Sequence, residues 1–426
     1  MQNIWPKLKN SVSGAFRRFW PEITICMVLA TLLAAWSFHF SGLSSTAYLD
    51  GIWFQADAGR VFGDMTDRLG NHYRIKVHPL FTLLTHPPIT LLRVLTGASA
   101  LTAARLFMAF LAGIWITLVF TLFRVLGCRR MDATILAILG GVSGAALFWT
   151  GVIETYLLSS ISILVGVLAV NLPTHRKSLW ITIVSAFTLS VTVTNWMTGL
   201  LATAVSFPWK RACQLAANAF CIVVILWGVE KFVYPQCEFF LGDGEEARYI
   251  NHPSLGGPLV ALRALVFHTM VVPRIRPFED MKGDWRRVGY IRTQLDRPGA
   301  GSRLGTVAAA LWAFLLAIGV RGLFVIKGYG KLRLVLGGTL LGQMALHSIY
   351  GEETFIFSLN VAPILLGIAA MGLHTRLRRV VLGAAICLIV TGGINNFSQL
   401  SKAIYLDHRI YDSVHPPVAA EPGRQP

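Results

Sequence analysis

Residues 132–173 read DATILAILGGVSGAALFWTGVIETYLLSSISILVGVLAVNLP, and they contain two long apolar runs that meet at one carboxylate, Glu154. The runs cover 132–152 and 155–173, and each has about the length that a helix needs to cross the core of a bilayer. Backbone in lipid must satisfy its own hydrogen bonds, so each run is expected to be helical. The stretch therefore predicts a transmembrane helical hairpin whose turn carries Glu154 at the membrane surface.

Similar apolar runs recur along the whole chain. Of the 426 residues, 54% are hydrophobic and only 14% are charged, and the mean hydropathy is +0.59. Such a composition is typical of an integral membrane protein. The further runs are 22–42, 101–123, 178–195, 196–209, 214–233, 304–326, 332–349, 355–373 and 380–396. We expect an all-α, polytopic membrane protein with about eleven transmembrane helices.

The distribution of positive charge predicts the orientation of these spans. The formal net charge is +17, and the cytoplasmic loops of membrane proteins are enriched in Lys and Arg. With a cytoplasmic N-terminus, the inner loops hold Arg129/Arg130, Arg176/Lys177, Lys210/Arg211, Lys327/Lys331/Arg333 and Arg376/Arg378/Arg379. The turns at Glu154, at Asn195 and at 350–354 then lie outside and contain neither Lys nor Arg. The pattern predicts a multi-pass protein of the inner (cytoplasmic) membrane and gives no support to nucleic acid as a partner.

Two long segments between the predicted spans fall on the outer side, where loops of such length usually carry function. The predicted organisation is a cytoplasmic N-terminus with the first span (1–42), a first outer loop (43–100), spans two to seven (101–233), a second outer loop (234–303), spans eight to eleven (304–396) and an outer polar tail (397–426). A crossing at the apolar run 257–272 would place the Arg376–Arg379 cluster outside. We therefore expect this run to be a re-entrant or surface helix.

The first outer loop has a helical pattern of its own. Over 54–69 apolar residues recur at helical spacing, with charged residues on the adjacent face. The apolar set is Phe54, Ala58, Val61, Phe62, Met65 and Leu69, and the charged set is Asp57, Arg60, Asp64, Asp67 and Arg68. We expect a helix that lies in the membrane interface with its apolar face in lipid. A second interfacial segment, 78–95, should be divided into short pieces by Pro87 and Pro88.

Asp57 and Glu154 are the candidate catalytic residues. A carboxylate at a membrane boundary can act as a general base, or it can bind a divalent cation such as Mg²⁺ or Mn²⁺. For Asp57, a simpler interpretation is an ion pair with Arg60 one helical turn away. For Glu154, the alternative is a cap on the following helix, which the helix dipole favours. Asp50 and Asp64 are weaker candidates.

Basic residues of both outer loops are the candidates for phosphate binding. Guanidinium and ammonium groups bind phosphate oxygens and stabilise the charge that develops on a leaving phosphate. The candidates are Arg60, Lys76, His78, Arg274 and Arg276, followed by Arg74, Arg286, Arg287 and Arg292. Each could instead attract anionic lipid headgroups. Glu353, in the outer turn at 350–354, is expected either to line the same site or to cap the next helix.

The order of these features resembles the GT-C superfamily of membrane glycosyltransferases. The acid of the first loop lies in Gln55-Ala56-Asp57-Ala58-Gly59-Arg60, and the His-Pro segment is Val77-His78-Pro79-Leu80-Phe81. A glycine-to-arginine entry into the second span (Gly97 to Arg105), a basic turn at 126–130 and the acid Glu154 follow in the expected order. The chain lacks the second acid and the tyrosine that often stand beside the loop acid in this superfamily.

The resemblance implies a GT-C-like fold with interfacial helices in the first outer loop. It implies a glycosyltransferase, similar to bacterial mannosyl- and arabinosyltransferases, that takes a sugar from a polyprenyl-phosphate carrier. The acceptor would be a glycan, a lipid or a protein at the outer face of the membrane. Asp57 and Glu154 would be catalytic or would share a divalent cation, and the basic residues would hold the carrier phosphate.

Two other functions stay open. An O-antigen polymerase or ligase also has many spans and a basic outer loop, but it would leave the acidic first loop without a role. A transporter or flippase of lipid-linked glycans should show repeated halves and charged residues near the bilayer midplane. The sequence shows no internal repeat, and its ionisable residues are concentrated at the predicted surfaces.

Overall fold

The computed structural model describes residues 4–43, 51–72, 76–171, 176–240, 250, 256–278, 281–282, 285–286, 289–325 and 328–414. These residues are almost all helical. The helices are α1 (Ile4–Leu43), α2 (Ala58–Thr66), α3 (Phe81–Thr96), α4 (Ala100–Val125), α5 (Arg130–Gly141), α6 (Gly144–Trp149), α7 (Tyr156–Leu168), α8 (Lys177–Val191), α9 (Trp196–Ser206), α10 (Trp209–Val233), α11 (Gly257–Phe267), α12 (Arg303–Val325), α13 (Gly330–Ile349), α14 (Ser358–Met371) and α15 (Arg378–Val414).

The described part of the second long loop contains four short strands. β1 (Arg276–Phe278) pairs with β4 (Tyr290–Arg292), and β2 (Met281–Lys282) pairs with β3 (Trp285–Arg286). Both pairs are antiparallel.

Within the described ranges, six helical segments are long and apolar enough to cross a membrane, which supports the predicted helical membrane protein. They are Trp20–Gly42, Ala100–Val125, Trp209–Val233, Arg303–Val325, Thr354–His374 and Arg378–Ser413. Other predicted spans correspond to shorter helices: α7, α8 and α9 have 13, 15 and 11 residues. The total of about eleven crossings therefore stays a prediction.

The predicted span 132–152 is two helices instead of one. The chain breaks between α5 and α6, where Ser143 caps α6 and the amides of Gly144 and Ala145 leave the helical pattern. These two amides donate to the carbonyls of residues 270 and 269, at 3.1 and 2.9 Å. A broken helix is tolerated at membrane depth where neighbouring protein satisfies the freed backbone groups, and here the segment after α11 does so.

That segment is held in turn by an asparagine of α15. The Asn396 Nδ2 donates to the carbonyls of Val142 and Met270, at 3.0 and 2.8 Å, and its Oδ1 accepts from the amide of Val272 at 2.9 Å. Helix α11 has 11 residues, which at about 1.5 Å per residue reach only half of a roughly 30 Å core. This geometry fits the expected re-entrant or surface segment.

The amphipathic helix of the first loop is shorter than predicted, and its apolar face is not in lipid. Phe54 and Gln55 have φ of 52° and 59°, a left-handed turn that precedes the helix, so α2 begins only at Ala58. Ala58, Val61 and Met65 are at most 1% exposed, and α2 packs against α3 and α4. The hydrophobic face therefore belongs to the protein core. Apolar periodicity cannot distinguish core from lipid, because both are apolar.

The second interfacial segment is not divided into pieces. Pro87 and Pro88 lie inside one 16-residue helix, α3. Each proline removes a backbone hydrogen bond, but α3 packs against α2 and α4, which keep its two halves in line. The outward edge of α3 carries the exposed side chains of Leu91, Val94 and Leu95, so this helix, unlike α2, presents an apolar edge to its surroundings.

The predicted polar tail also begins later than expected. Helix α15 continues to Val414, and Leu400 and Ala403 in its last part are at most 2% exposed. These residues pack near β4. The stretch 397–414 therefore belongs to the folded body.

Charged groups of the predicted inner loops meet at the opposite end of the bundle from the first loop. Arg378 binds Asp132 with two hydrogen bonds of 2.6 and 2.9 Å. Glu22 at the start of the first span lies 3.3 Å from Arg124 and 3.1 Å from Arg130. These contacts are expected if the basic loops lie on the same side of the membrane.

Candidate functional site

The segments predicted to be extracytoplasmic converge on one cavity of about 900 Å³. Parts of 51–60, 76–78, 154–159, 192–194 and 343–360 line it. Six of the residues predicted from the sequence are among the lining residues: Asp57, Arg60, Lys76, His78, Glu154 and Glu353. Arg274 and Arg276 are not among them.

Glu154 lies in the short turn that leads into α7 and is 3% exposed. Its Oε2 accepts a 2.8 Å hydrogen bond from the Thr155 amide, so the predicted capping contact exists. No donor in the described part of the chain reaches Oε1 with hydrogen-bond geometry.

The pKa of Glu154 is raised to about 7, mainly by burial and also by the neighbouring carboxylate of Asp57, whereas Arg60 and the backbone amides of Thr155 and Asp57 lower it. Behind the turn lies an aromatic cluster in which the Phe54 and Trp149 rings are 5.7 Å apart. Apolar surroundings of this kind disfavour the charged form of an acid. A carboxyl group with such a pKa can both accept and return a proton at neutral pH.

Asp57 lies at the mouth of the cavity, directly before α2, with 43% of its side chain exposed. Its Oδ2 is 3.3 Å from Arg60, as the spacing along the helix predicted. Arg60 is also 2.7 Å from Asp64, and the other oxygen of Asp64 is 3.0 Å from Nδ1 of His72. Asp64 and His72 are buried, so the ion pair with Asp64 holds the guanidinium group of Arg60 in place next to Asp57.

His78 is held by the backbone of the segment that follows α8. Its Nδ1 lies 2.9 Å from the Val191 carbonyl, which can only accept, so Nδ1 carries the hydrogen. The Leu80 amide donates to the Ser190 carbonyl at 2.9 Å and fixes the same stretch.

The remaining basic candidates separate into two groups. Lys76 lines the cavity and forms a 2.6 Å ion pair with Glu238. Arg276 pairs with Asp296 at 2.9 Å on β1, and Arg274 is exposed after the re-entrant segment. The structure therefore brings Lys76, but neither of these arginines, to the two carboxylates.

The structure does not describe all of the weaker candidate residues. Asp50, Arg74 and Arg287 are outside the described residues, and for Arg286 only the backbone is described. Arg292 lies on β4 with its guanidinium 3.8 Å from the centre of the Phe278 ring. This contact keeps Arg292 on the small sheet.

Glu353 lines the cavity, but its carboxylate is committed to the second loop. Oε2 accepts from the amides of Thr293 and Gln294 at 2.8 and 3.0 Å, and Oε1 accepts from the Thr293 hydroxyl at 2.9 Å. Burial raises the pKa of Glu353 and these donors lower it. Glu353 also caps the helical turn that follows it, where its side chain accepts from the Phe355 amide. Both predicted positions, in the cavity lining and at the helix cap, are therefore found, and the same carboxylate ties residues 293–294 to the turn before α14.

The sequence did not single out the amides of the far wall. Gln343 on α13 and Asn360 on α14 line the cavity and are at most 6% exposed. Gln343 Oε1 lies 3.1 Å from Nε2 of His347, and His347 is also buried. The available signal was an amide side chain inside an apolar span, which requires a partner or a ligand.

The residues at the mouth fit a divalent cation poorly. Mg²⁺ and similar ions prefer several ionised oxygen ligands, whereas Asp57 is paired with Arg60 and Glu154 has a pKa near neutrality. No group of three or more His, Cys, Asp or Glu side chains suited to a metal occurs within the described ranges. A search of family models, of characterised proteins and of solved structures gave no match to the chain.

Proposed function

We propose that this protein is an integral membrane glycosyltransferase. It would transfer a sugar from a polyprenyl-phosphate carrier to a glycan, lipid or protein acceptor at the outer face of the inner (cytoplasmic) membrane. The single observation that carries the proposal is that Asp57 and Glu154 line one cavity, with Arg60 beside them. Two coupled carboxylates with a cation alongside suit a reaction that must move a proton and stabilise a phosphate leaving group.

In the proposed reaction the bond between sugar C1 and the carrier phosphate oxygen breaks, and its electron pair leaves with the phosphate. The acceptor hydroxyl oxygen forms the new bond to C1. Its proton passes to the pair of Asp57, which is at the mouth, and Glu154, whose pKa of about 7 is better matched to neutral pH. The carboxylates also stabilise the oxocarbenium character of the reacting sugar.

Arg60 and Lys76 are the cationic groups of this site that would hold the carrier phosphate. Both line the cavity, and both already contact carboxylates, Asp57 and Glu238 respectively. The phosphate, which carries one negative charge in the donor and two in the leaving polyprenyl phosphate, would compete for these cations through charge-assisted hydrogen bonds. The exposed apolar edge of α3, which begins directly after the cavity-lining segment 76–78, offers a path for the polyprenyl chain along the membrane surface.

The transporter hypothesis is less well supported. Broken helices in transporters line the substrate path near the midplane, and this chain has a break at Val142–Ser143. However, the segment 268–272 and the side chain of Asn396 form hydrogen bonds at this break. None of these residues lines the cavity. An O-antigen polymerase or ligase would leave the buried acid Glu154 without a role.

The test is sugar transfer in membranes or nanodiscs that carry the wild type, Asp57→Asn or Glu154→Gln, with polyprenyl-phosphate sugars as donors. We expect each substitution to reduce transfer by at least about 100-fold, the range of general acid–base catalysis. The site assignment is wrong if both variants are expressed at wild-type levels and retain full activity. Absence of transfer by the wild type from every hexosyl and pentosyl carrier would contradict the function itself.

A further inference from the structure

The far wall of the cavity contains polar atoms that the protein leaves without partners. Nε2 of Gln343 and Oδ1 of Asn360 are buried and have no hydrogen-bond partner in the described part of the chain. The two side chains come from α13 and α14, and both line the cavity. A buried polar atom without a partner is destabilising by about 1–3 kcal/mol, so two in one wall require an explanation.

The orientation of the Gln343 amide does not change this result. Its Oε1 faces Nε2 of His347 at 3.1 Å, and His347 is stacked on the Phe357 ring with 4.0 Å between ring centres. If the amide were turned by 180°, the same contact would use Nε2 and leave Oε1 without a partner. One polar atom of Gln343 is available to a ligand in either orientation.

We propose that this wall is a subsite for a neutral, polyhydroxylated ring, which Gln343 and Asn360 recognise through its hydroxyl groups. A hydroxyl both donates and accepts, so it can satisfy an amide N–H and an amide oxygen in the same subsite. Neither Gln343 nor Asn360 carries a charge, and the cations Arg60 and Lys76 belong to other lining segments, 51–60 and 76–78. This assigns the far wall to the sugar ring and the mouth to the phosphate, and it rests on the proposed function.

A ligand-binding role and a structural role of Gln343 and Asn360 predict different effects of substitution on stability and affinity. Replacement of Asn360 by Leu removes a buried polar atom that has no partner, so it should leave thermal stability unchanged or increase it. Gln343→Leu removes such an atom together with the contact to His347, so its net effect on thermal stability should be small. Each replacement should weaken binding of a hydroxylated ring by about threefold to tenfold for each hydrogen bond lost. Affinity should therefore fall without a matching loss of thermal stability.

The experiment uses saturation-transfer NMR on the purified full chain in nanodiscs. The probes are a panel of methyl hexosides and methyl pentosides, with cyclohexylmethanol as an apolar ring of similar size. We expect a signal from at least one glycoside with the wild type and with Gln214→Leu, a control on the exposed part of α10. The signal should be lost in the double variant Gln343→Leu/Asn360→Leu, and the single variants should weaken binding.

The outcomes separate this subsite from the proposed reaction. If no glycoside binds the wild type, or if binding is unchanged in the double variant, the subsite is refuted even where sugar transfer is observed. If glycosides bind in a manner that depends on Gln343 and Asn360 while transfer from lipid-linked sugars is absent, the subsite stands and the proposed reaction fails. A double variant that loses thermal stability together with binding would show that the amides are structural, and this also refutes the subsite.

Discussion

Asp57 and Glu154 line the same cavity, and the carboxylate of Asp57 raises the pKa of Glu154, although the two residues lie in different loops of the chain. Arg60 opposes this effect from its position 3.3 Å from Asp57. The protonation of Glu154 is therefore controlled from the cavity mouth by one negative and one positive group. A phosphate or a hydroxyl group that enters the mouth would change this balance.

The first prediction is that substitutions of these two neighbours move the pKa of Glu154 in opposite directions. Asp57→Asn removes a negative charge and should lower the pKa of Glu154 from about 7, whereas Arg60→Met removes a positive charge and should raise it. Infrared difference spectroscopy across a pH titration measures the protonated carboxyl band directly, and Glu154→Gln identifies which band belongs to Glu154. Shifts of the same sign in both variants would contradict the proposed coupling.

The second prediction concerns stability. The folded-state pKa of Glu154, about 7, lies above the reference value of 4.5, so the folded protein binds more protons than the unfolded chain between these values. Stability should fall as pH rises through this window and stay reduced above pH 7. Glu154→Gln lacks this loss and should gain up to about 3 kcal/mol relative to the wild type on going from pH 5 to pH 8. Thermal unfolding in detergent at the two pH values measures the difference, and a pH-independent difference would refute the shifted pKa.

The third prediction distinguishes a structural Glu353 from a substrate-binding one. Glu353→Gln places an amide group where two backbone amides now donate to one carboxylate oxygen, so we expect a loss of about 1–3 kcal/mol of stability. Hydrogen exchange of residues 289–297 should become faster. Glu352→Gln, one position earlier in the same turn, is the matched control and should leave exchange unchanged. Unchanged exchange in Glu353→Gln with a higher KM for the donor would restore the substrate role.

The cavity itself could be predicted from the sequence to a useful extent. The charge pattern along the chain placed Asp57, Glu154 and Lys76 on one side of the membrane, and the structure brings these three residues to one cavity. The side of the membrane could be predicted because the positive charge of a loop and the length of an apolar run are read from neighbouring residues in the sequence. The capping contact of Glu154 and the pairing of Asp57 with Arg60 also followed from spacing.

The features that could not be predicted depend on contacts between distant parts of the chain. The break near Ser143 exists because Asn396 and the segment after α11 satisfy the freed backbone groups, and nothing in the apolar run 132–152 reveals that partner. The hydrogen bonds that Glu353 accepts from Thr293 and Gln294 were not predicted because these donors belong to another loop. The burial of α2 was missed because apolar periodicity is the same toward lipid and toward protein.

The fourth prediction compares two basic residues that the sequence alone treats as equivalent. Lys76 lines the cavity, whereas Arg276 pairs with Asp296 outside it. Lys76→Met should raise the KM for a polyprenyl-phosphate sugar by roughly tenfold or more, since it removes a charge-assisted hydrogen bond to phosphate. Arg276→Met should leave the KM unchanged. Steady-state transfer kinetics with both variants decide the matter, and an equal increase in both would indicate a diffuse electrostatic effect of the two loops.

The last prediction concerns the segment after α11, which supports the bundle without lining the cavity. Asn396→Leu deprives the Val142 and Met270 carbonyls and the Val272 amide of their side-chain partner. The Val142 carbonyl and the Val272 amide lose this partner, whereas the Met270 carbonyl keeps its hydrogen bond from the Gly144 amide. The combined loss should therefore exceed about 2 kcal/mol and appear as a lower unfolding temperature and faster proteolysis. Thr391→Val, at a half-buried position of the same helix, is the control and should be neutral.

Because Asn396 does not line the cavity, the Asn396→Leu protein that remains folded at low temperature should keep the wild-type KM for the donor. The defect should therefore lie in the amount of folded protein and not in the affinity of the site. A fully stable Asn396→Leu variant would show that the break at Ser143 is maintained by other contacts. A raised KM in folded protein would instead mean that the segment after α11 positions the cavity wall.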